Sequence, residues 1–299
     1  MARVFARRSP PNKKSQIRFS EMEIVESPLA MQGIAREIHG RGKTIAVVPT
    51  MGFLHEGHLS LVDRARNEAD VVVLTLFVNP IQFGPNEDYA VYPRDRERDA
   101  ALCEARGVDY LFAPTVDGMY APDASVKINE TSLSTHLCGA VRPGHFSGVC
   151  TVVAKLFNIT LADVAVFGQK DAQQVAIVRR MVRDLNFPVR IVMAPIVREA
   201  DGLAMSSRNT RLAPESREVA LGLSAALSAA IEAYGRGERD AAAVKAIMAD
   251  AMSARGLKVD YASAVDYSTM EDVDEIGPGT LLAVAAYCGP VRLIDNRLL

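Results

Sequence analysis

The run Pro49-Thr50-Met51-Gly52-Phe53-Leu54-His55-Glu56-Gly57-His58 carries the two side chains best spaced for chemistry. Three residues apart across one helical turn, His55 and His58 can face a single anion. Gly52 and Gly57 allow close backbone approach. A helix starting here would offer free N–H groups and the positive end of its dipole to a phosphate. A metal pair fits less well, because His-Glu-x-His is one residue short of His-Glu-x-x-His. A capping or packing role is common for one histidine and less comfortable for two around a glycine.

Other polar groups recur at the ends of apolar runs. Asn79 and Gln82, in Phe77–Phe83, present amide donors and acceptors suited to a small carboxylate or hydroxyl substrate, although Asn79-Pro80 alone reads as a polar turn. Arg142, in Arg142-Pro143-Gly144-His145-Phe146, has a planar fork for phosphate, although a lone loop arginine is more often merely solvated. In Phe167-Gly168-Gln169-Lys170-Asp171, Lys170 supplies a point charge and Gly168 room for a nucleotide; Asp171 reads equally as a helix cap. Gln173 and Gln174 follow on the next helix. Ser206, Ser207 and Arg208, in Val197–Asn209, are good phosphate ligands, though the string also passes for a polar linker. Gly42-Lys43-Thr44 imitates a phosphate-binding loop, but Glu37 stands where its first glycine belongs.

The elements that must hold these groups alternate. A helix from Ser27-Pro28 to about His39 precedes strand Thr44–Val48, helix Leu59–Ala69 and strand Val71–Val78. Helix Arg94–Arg106, closed by Gly107, leads to strand Tyr110–Ala113. Helix Val149–Ile159, strand Val164–Phe167, helix Ala172–Leu185 and strand Val189–Val192 complete the series. This alternation predicts an α/β fold, a Rossmann-like parallel sheet flanked by helices, with ligands beyond the carboxyl ends of the strands. Ala-rich helices Pro214–Tyr234 and Arg239–Ala254, then strands Val259–Val265, Leu281–Tyr287 and Val291–Ile294, predict a smaller α+β C-terminal domain. We place the boundaries at 1–20, 21–196 and 197–299.

The 299 residues are 49% hydrophobic and 23% charged, which suits a folded chain with a sizeable core. A net charge of -2 excludes a globally basic nucleic-acid binder, and the absence of Trp disfavours a base-stacking surface. The charge is uneven: six of the 34 basic residues and no acid lie in the first 20, leaving 28 bases against 36 acids beyond. That stretch reads as a transit peptide or a disordered extension, and Pro10-Pro11 favours the extension. No apolar run approaches the roughly 20 residues of a membrane helix, so a soluble, cytoplasmic protein is expected. Cys103, Cys138, Cys150 and Cys288 lie too far apart for a zinc site, and free thiols are expected.

The segments MGFLHEGH, FVNPIQF, YPR (Tyr92–Arg94), RPGHFSGV, FGQKDAQQ and VREADGLAMSSRN occur in order across residues 49–209. Together they resemble the pantothenate synthetase (pantoate–β-alanine ligase) family of HxGH nucleotidyltransferases. The resemblance implies a nucleotidyltransferase-type Rossmann domain with a C-terminal lid, as a homodimer. It implies that pantoate attacks ATP to give pantoyl adenylate and pyrophosphate, and that β-alanine then displaces AMP, with Mg²⁺ accompanying the nucleotide.

By the same resemblance, His55, His58 and Lys170 are catalytic, with His58 a proton donor. Met51, Gly52, Gly168, Gln169, Lys170, Asp171, Val197, Met205, Ser206, Ser207 and Arg208 join the histidines around ATP, with His55, His58, Lys170 and Arg208 converging as cations on its triphosphate. Gln82 and Gln174 hold pantoate, with Asn79 and Arg142 as further substrate contacts, and Asp99 stands on the metal side. The sequence departs from the family's pattern at Gln169 (often Glu), Leu161 (commonly Pro) and Arg211 (often Tyr). Another HxGH nucleotidyltransferase, such as a cytidylyltransferase, would share the first motif but has no need of Gln82 and Gln174. An inactive nucleotide-binding scaffold would have no need to retain His55, His58, Lys170 and Arg208.

Overall fold

The computed structural model describes residues 22–85 and 87–299, and the basic extension 1–20 lies outside the described residues. The first part runs β1 (Glu23–Val25), α1 (Pro28–Gly40), β2 (Ile45–Thr50), α2 (Glu56–Arg66), β3 (Val71–Leu76), α3 (Arg96–Ala105) and β4 (Tyr110–Phe112). It continues through short α4 (Val116–Met119) and α5 (Leu137–Val141) to α6 (His145–Thr160), β5 (Val164–Gly168), α7 (Ala172–Asp184) and β6 (Arg190–Ala194). The Ser27 side chain accepts from the Ala30 N–H at 3.3 Å and Pro28 opens the first turn, so α1 starts where its cap requires.

The strands form a parallel sheet in the order β1-β4-β3-β2-β5-β6. From β2 the chain winds outward to β3 and β4, then returns to β5 on the other side of β2. The carboxyl ends of β2 and β5 therefore flank the crevice where winding reverses, the place such sheets offer a ligand. Both faces are covered. Ile45 and Val47 join the core beneath α1, α6 and α7, while Ala46 and Val48 join the core beneath α2. Burial on both sides is why these strands are continuous apolar runs and not alternating ones.

The last third holds α8 (Pro214–Ala220), α9 (Gly222–Gly235), α10 (Ala241–Ser253) and antiparallel strands β7 (Lys258–Asp266), β8 (Thr280–Cys288) and β9 (Val291–Leu298). Leu282, Val284 and Ala286 of β8 pack into one core with Leu227 and Met248. Its alternate residues Leu281 and Ala283 join the core of the parallel sheet. All four cysteines are free and buried. No helix among the described residues is long and apolar enough to cross a membrane.

Several elements differ from the expectation. β1 is too short, at three residues, to carry a periodic signal. The expected helix 214–234 is broken at Leu221, where Gly222 lies so near Leu257 that a Cβ would meet its Cδ1 at 2.7 Å. β9 continues past Ile294 because Asp295 and Asn296 are buried with polar partners. Leu161 closes α6 at φ 47, a conformation proline cannot adopt, so the family's proline does not belong at that position.

Within α6, Gly148 brings backbone against backbone. A Cβ there would stand 2.4 Å from the Ile81 carbonyl oxygen and 2.6 Å from Gln82 Cα. Gly148→Ala is expected to cost about 2 kcal/mol or more in urea unfolding, through overpacking, and to displace Gln82. An unchanged midpoint would show that this contact yields freely.

Candidate active site

β2 leaves the sheet through two successive left-handed residues, Gly52 (φ 83) and Phe53 (φ 50). Phe53 is strained there, and Asp99 of α3 holds it. Asp99 Oδ2 accepts from the Phe53 N–H and Oδ1 from the Leu54 N–H, both at 2.7 Å. Burial outweighs these bonds and raises the Asp99 pKa. Both oxygens are committed and the residue is 1% exposed, so the metal role expected for Asp99 is corrected to anchoring this elbow. From the other side, Ser207 Oγ donates to the Phe53 carbonyl at 3.1 Å.

The elbow delivers His55 as the N-cap of α2 and His58 into its first turn, with ring centroids 4.0 Å apart. A Cβ at Gly57 would meet the His55 ring at 2.9 Å, which explains the glycine between them. His58 Nδ1 accepts from the His55 backbone N–H at 3.4 Å, so the neutral ring carries its proton on Nε2. Burial, then the Lys170 charge, lowers the His55 pKa to about 4. Burial, His55 and Lys170 hold His58 well below its ordinary value. The two histidines are therefore neutral N–H donors near neutral pH, a correction to their expected role as cations. His55 Nδ1 is buried without a partner among the described residues, as a group reserved for a ligand would be.

Across the crevice, β5 ends at Gly168 and a 3-10 turn, Gln169–Asp171, presents Lys170 with its Nζ 3.6 Å from Asp171 Oδ2. Asn296 of β9 braces this turn, donating through Nδ2 to the Gln169 and Lys170 carbonyls at 2.9 Å each. Gln169 Nε2 donates to Asn296 Oδ1 at 3.3 Å, so its side chain is directed to β9, a correction to its expected nucleotide contact.

The amide end rests on the turn Pro80–Gln82. Asn79, 1% exposed, donates to Gln82 Oε1 at 3.0 Å and to the Gly148 carbonyl at 3.2 Å, and accepts from Tyr120 at 2.9 Å. That network turns the Gln82 NH₂ towards Met51 Sδ, 3.1 Å away, and makes Asn79 a support for Gln82. Arg142 is similarly committed. Its Nε and Nη2 donate to Glu87 at 2.8 and 2.6 Å, and its Nη1 meets His145 Nε2 at 2.9 Å. His145 Nδ1 in turn donates to the Gln82 carbonyl at 2.8 Å, and burial, then Arg142, lowers its pKa to about 4.

A cavity of about 220 Å³ brings together Met51, His55, His58, Asn79, Gln82, Arg142, Gly168, Lys170, Asp171, Gln174, Val197, Met205, Ser206, Ser207 and Arg208. Gly52, Asp99 and Gln169 are not among its lining residues. A second cavity of about 550 Å³ adjoins it, sharing Arg142, Lys170, Gln174 and Arg208 and reaching the C-terminal sheet. Sequence reasoning missed Glu87, Asp88, His145 and Asn296; of these, only His145 lay inside a motif already singled out. No group of three His, Cys, Asp or Glu among the described residues could hold a metal. The residues present thus do not form a magnesium cage of their own.

A parallel sheet whose winding reverses between a paired-histidine helix start and a lysine turn defines a phosphate-binding α/β protein. The family model described as Pantoate-beta-alanine ligase matches residues 23–298, and the chain belongs to that family. It is 56% identical over 279 residues to a pantothenate synthetase of Thermotoga petrophila, covering 93% of this chain and 100% of the relative. It resembles the crystal structure of a pantothenate synthetase from Thermus thermophilus at TM-score 0.88 and 45% identity, over 93% and 99% of the two chains. A Francisella tularensis pantoate-beta-alanine ligase complexed with beta-gamma ATP and beta-alanine matches at TM-score 0.76 and 32% identity, over 93% and 97%.

His55 and His145 titrate near 4 when folded, against an ordinary 6.5. The unfolded chain binds the extra protons between those values, so their stabilisation is complete above about 6.5 and is lost as pH falls towards 4. Urea midpoints are expected to be lower at about pH 5 than at about pH 7.5, with His145→Gln narrowing the gap. An undiminished gap in that variant would remove His145 from the account.

Proposed function

We propose that this chain condenses pantoate with β-alanine at the expense of ATP, through a pantoyl-adenylate intermediate. One observation carries the assignment beside the family membership: a single cavity is lined both by phosphate-type donors and by the Gln82 and Gln174 amides. A carboxylate oxygen of pantoate forms a bond to the α-phosphorus as the bond to the bridging oxygen breaks, releasing pyrophosphate. The amine of β-alanine then attacks the acyl carbon, AMP leaves with the acyl oxygen, and the amine gives up its proton.

Both steps need alignment and charge stabilisation more than a protein nucleophile. His58 Nε2–H and His55 donate to the phosphates, and Lys170 and Arg208 supply positive charge, with Ser206 and Ser207 beside them. Gly168, Asp171, Val197 and Met205 hold the nucleoside side, with Asp171 towards the ribose. Gln82 and Gln174 hold pantoate, Gln82 also lying near the incoming β-alanine. Magnesium bound with the nucleotide would supply charge neutralisation at the phosphates beside Lys170 and Arg208. Residues 21–196 form the nucleotide-binding domain and 197–299 its lid, in a cytoplasmic homodimer.

AMP is expected at steady state only when ATP, pantoate and β-alanine are all supplied. CMP release, or AMP independent of both acids, would sink the assignment. His58→Ala is expected to slow single-turnover adenylation by roughly a hundredfold or more, the scale of a lost transition-state donor, while pantoate binding changes little. Lys170→Ala is expected to damage mainly ATP use.

A further inference from the structure

Arg208 is anchored through one edge, as Arg142 and Arg292 are, but its carboxylate partner is shared. Asp88 accepts from its Nε and Nη2, both at 2.9 Å, and the Tyr92 ring lies 5.7 Å from its guanidinium. Those contacts use one edge of the fork, and Arg208 Nη1 makes no hydrogen bond among the described residues. Asp88 has a second cation. Arg211 Nη1 donates to the same Asp88 Oδ2 at 2.8 Å.

The charge count distinguishes this cluster from its neighbours. Arg142 pairs with Glu87, Arg198 with Asp295 and Arg292 with Asp260, each one to one. Such pairs present little net charge to an incoming anion. Asp88 is instead shared by two guanidinium groups, so the group of three keeps one positive charge. Burial pulls the Asp88 pKa up, but Arg208 and Arg211 outweigh it and hold the group ionised. An arginine ready for a phosphate must be both immobilised and still charged, and a lone carboxylate partner provides the first at the expense of the second.

We infer that Arg211 is a positioning residue for phosphate binding, sharing Asp88 so that this carboxylate fixes Arg208 without cancelling its charge. The inference deepens the proposed function, since it takes the phosphates of ATP as the anion. Arg211 lines the adjoining cavity with Asp88 and Arg208, and its side chain is 31% exposed. Its field therefore reaches the site partly through solvent and is open to screening.

Arg211→Gln and Arg211→Lys in the full chain test this. The Gln variant is expected to raise the KM for ATP roughly five- to tenfold at low ionic strength, the effect of one partly exposed charge. Its kcat and its KM for pantoate should stay within about twofold, the Lys variant should recover most of the loss, and added salt should narrow the difference. Calorimetric binding of pyrophosphate to the same proteins reads the charge without turnover and should weaken in parallel. The role is overturned if the Gln variant matches the parent in pyrophosphate affinity, if Lys fails to restore it in a folded protein, or if kcat and both KM values shift together. Failure of the parent chain to form AMP would instead strike the proposed function, leaving pyrophosphate affinity to judge Arg211.

Discussion

The Asp99 carboxylate bonds the N–H groups of Phe53 and Leu54, and through them it sets where α2 begins. Two left-handed residues in succession are a poor resting state for a chain, the more so when one is phenylalanine. A buried anion offering both oxygens to consecutive amides makes that conformation the favoured one. His55 and His58 face their cavity because the helix starts at Glu56, and it starts there because the elbow is held. The sheet adds the second half. Since β2 and β5 are neighbours, the elbow and the lysine turn come to the same crevice with no long loop between them.

Charge at the site is arranged by neutralising most of it. The histidines lose their protons to burial and to Lys170, so they act as directed N–H donors. Arg142 is spent on Glu87 and His145, and through His145 it steadies the Gln82 turn. Lys170, with Asp171 3.6 Å away, and the shared Arg208 group face the phosphates in the proposed reaction. A site left with several bare cations would bind any polyanion and would suffer their repulsion when empty. Pairing most of them leaves the specificity with geometry.

Much of this was legible in the sequence, for identifiable reasons. Parallel strands buried on both faces announce themselves as apolar runs, and glycine, proline and capping residues punctuate them, so the α/β alternation could be read directly. The phosphate motifs were legible because close approach needs glycine beside polar groups. The partners of those groups were not. Glu87, Asp88 and Asn296 act on residues 55, 120 and 126 positions away, and a polar residue at such range looks like any other surface residue. Asp99 shows the converse error. An isolated acid near a nucleotide motif invites a metal role, and only its burial against two backbone amides gives its use. The protonation of His55 and His58 was hidden for the same reason, since it follows from desolvation and not from residue type.

The C-terminal sheet meets the site through two side chains of β9. Asn296 holds the carbonyls of Gln169 and Lys170, and its neighbour Asp295 takes Arg198 in a bidentate pair. Arg198 lies at the start of the loop that ends in Ser206, Ser207 and Arg208. One strand therefore grips both the lysine turn and the root of the serine loop. Both residues are buried, and a buried carboxylate or amide deprived of its partner is costly. Motion of this sheet away from the parallel one would have to break those bonds or carry both phosphate segments along. The position of the C-terminal sheet therefore sets the position of both Lys170 and the serine loop.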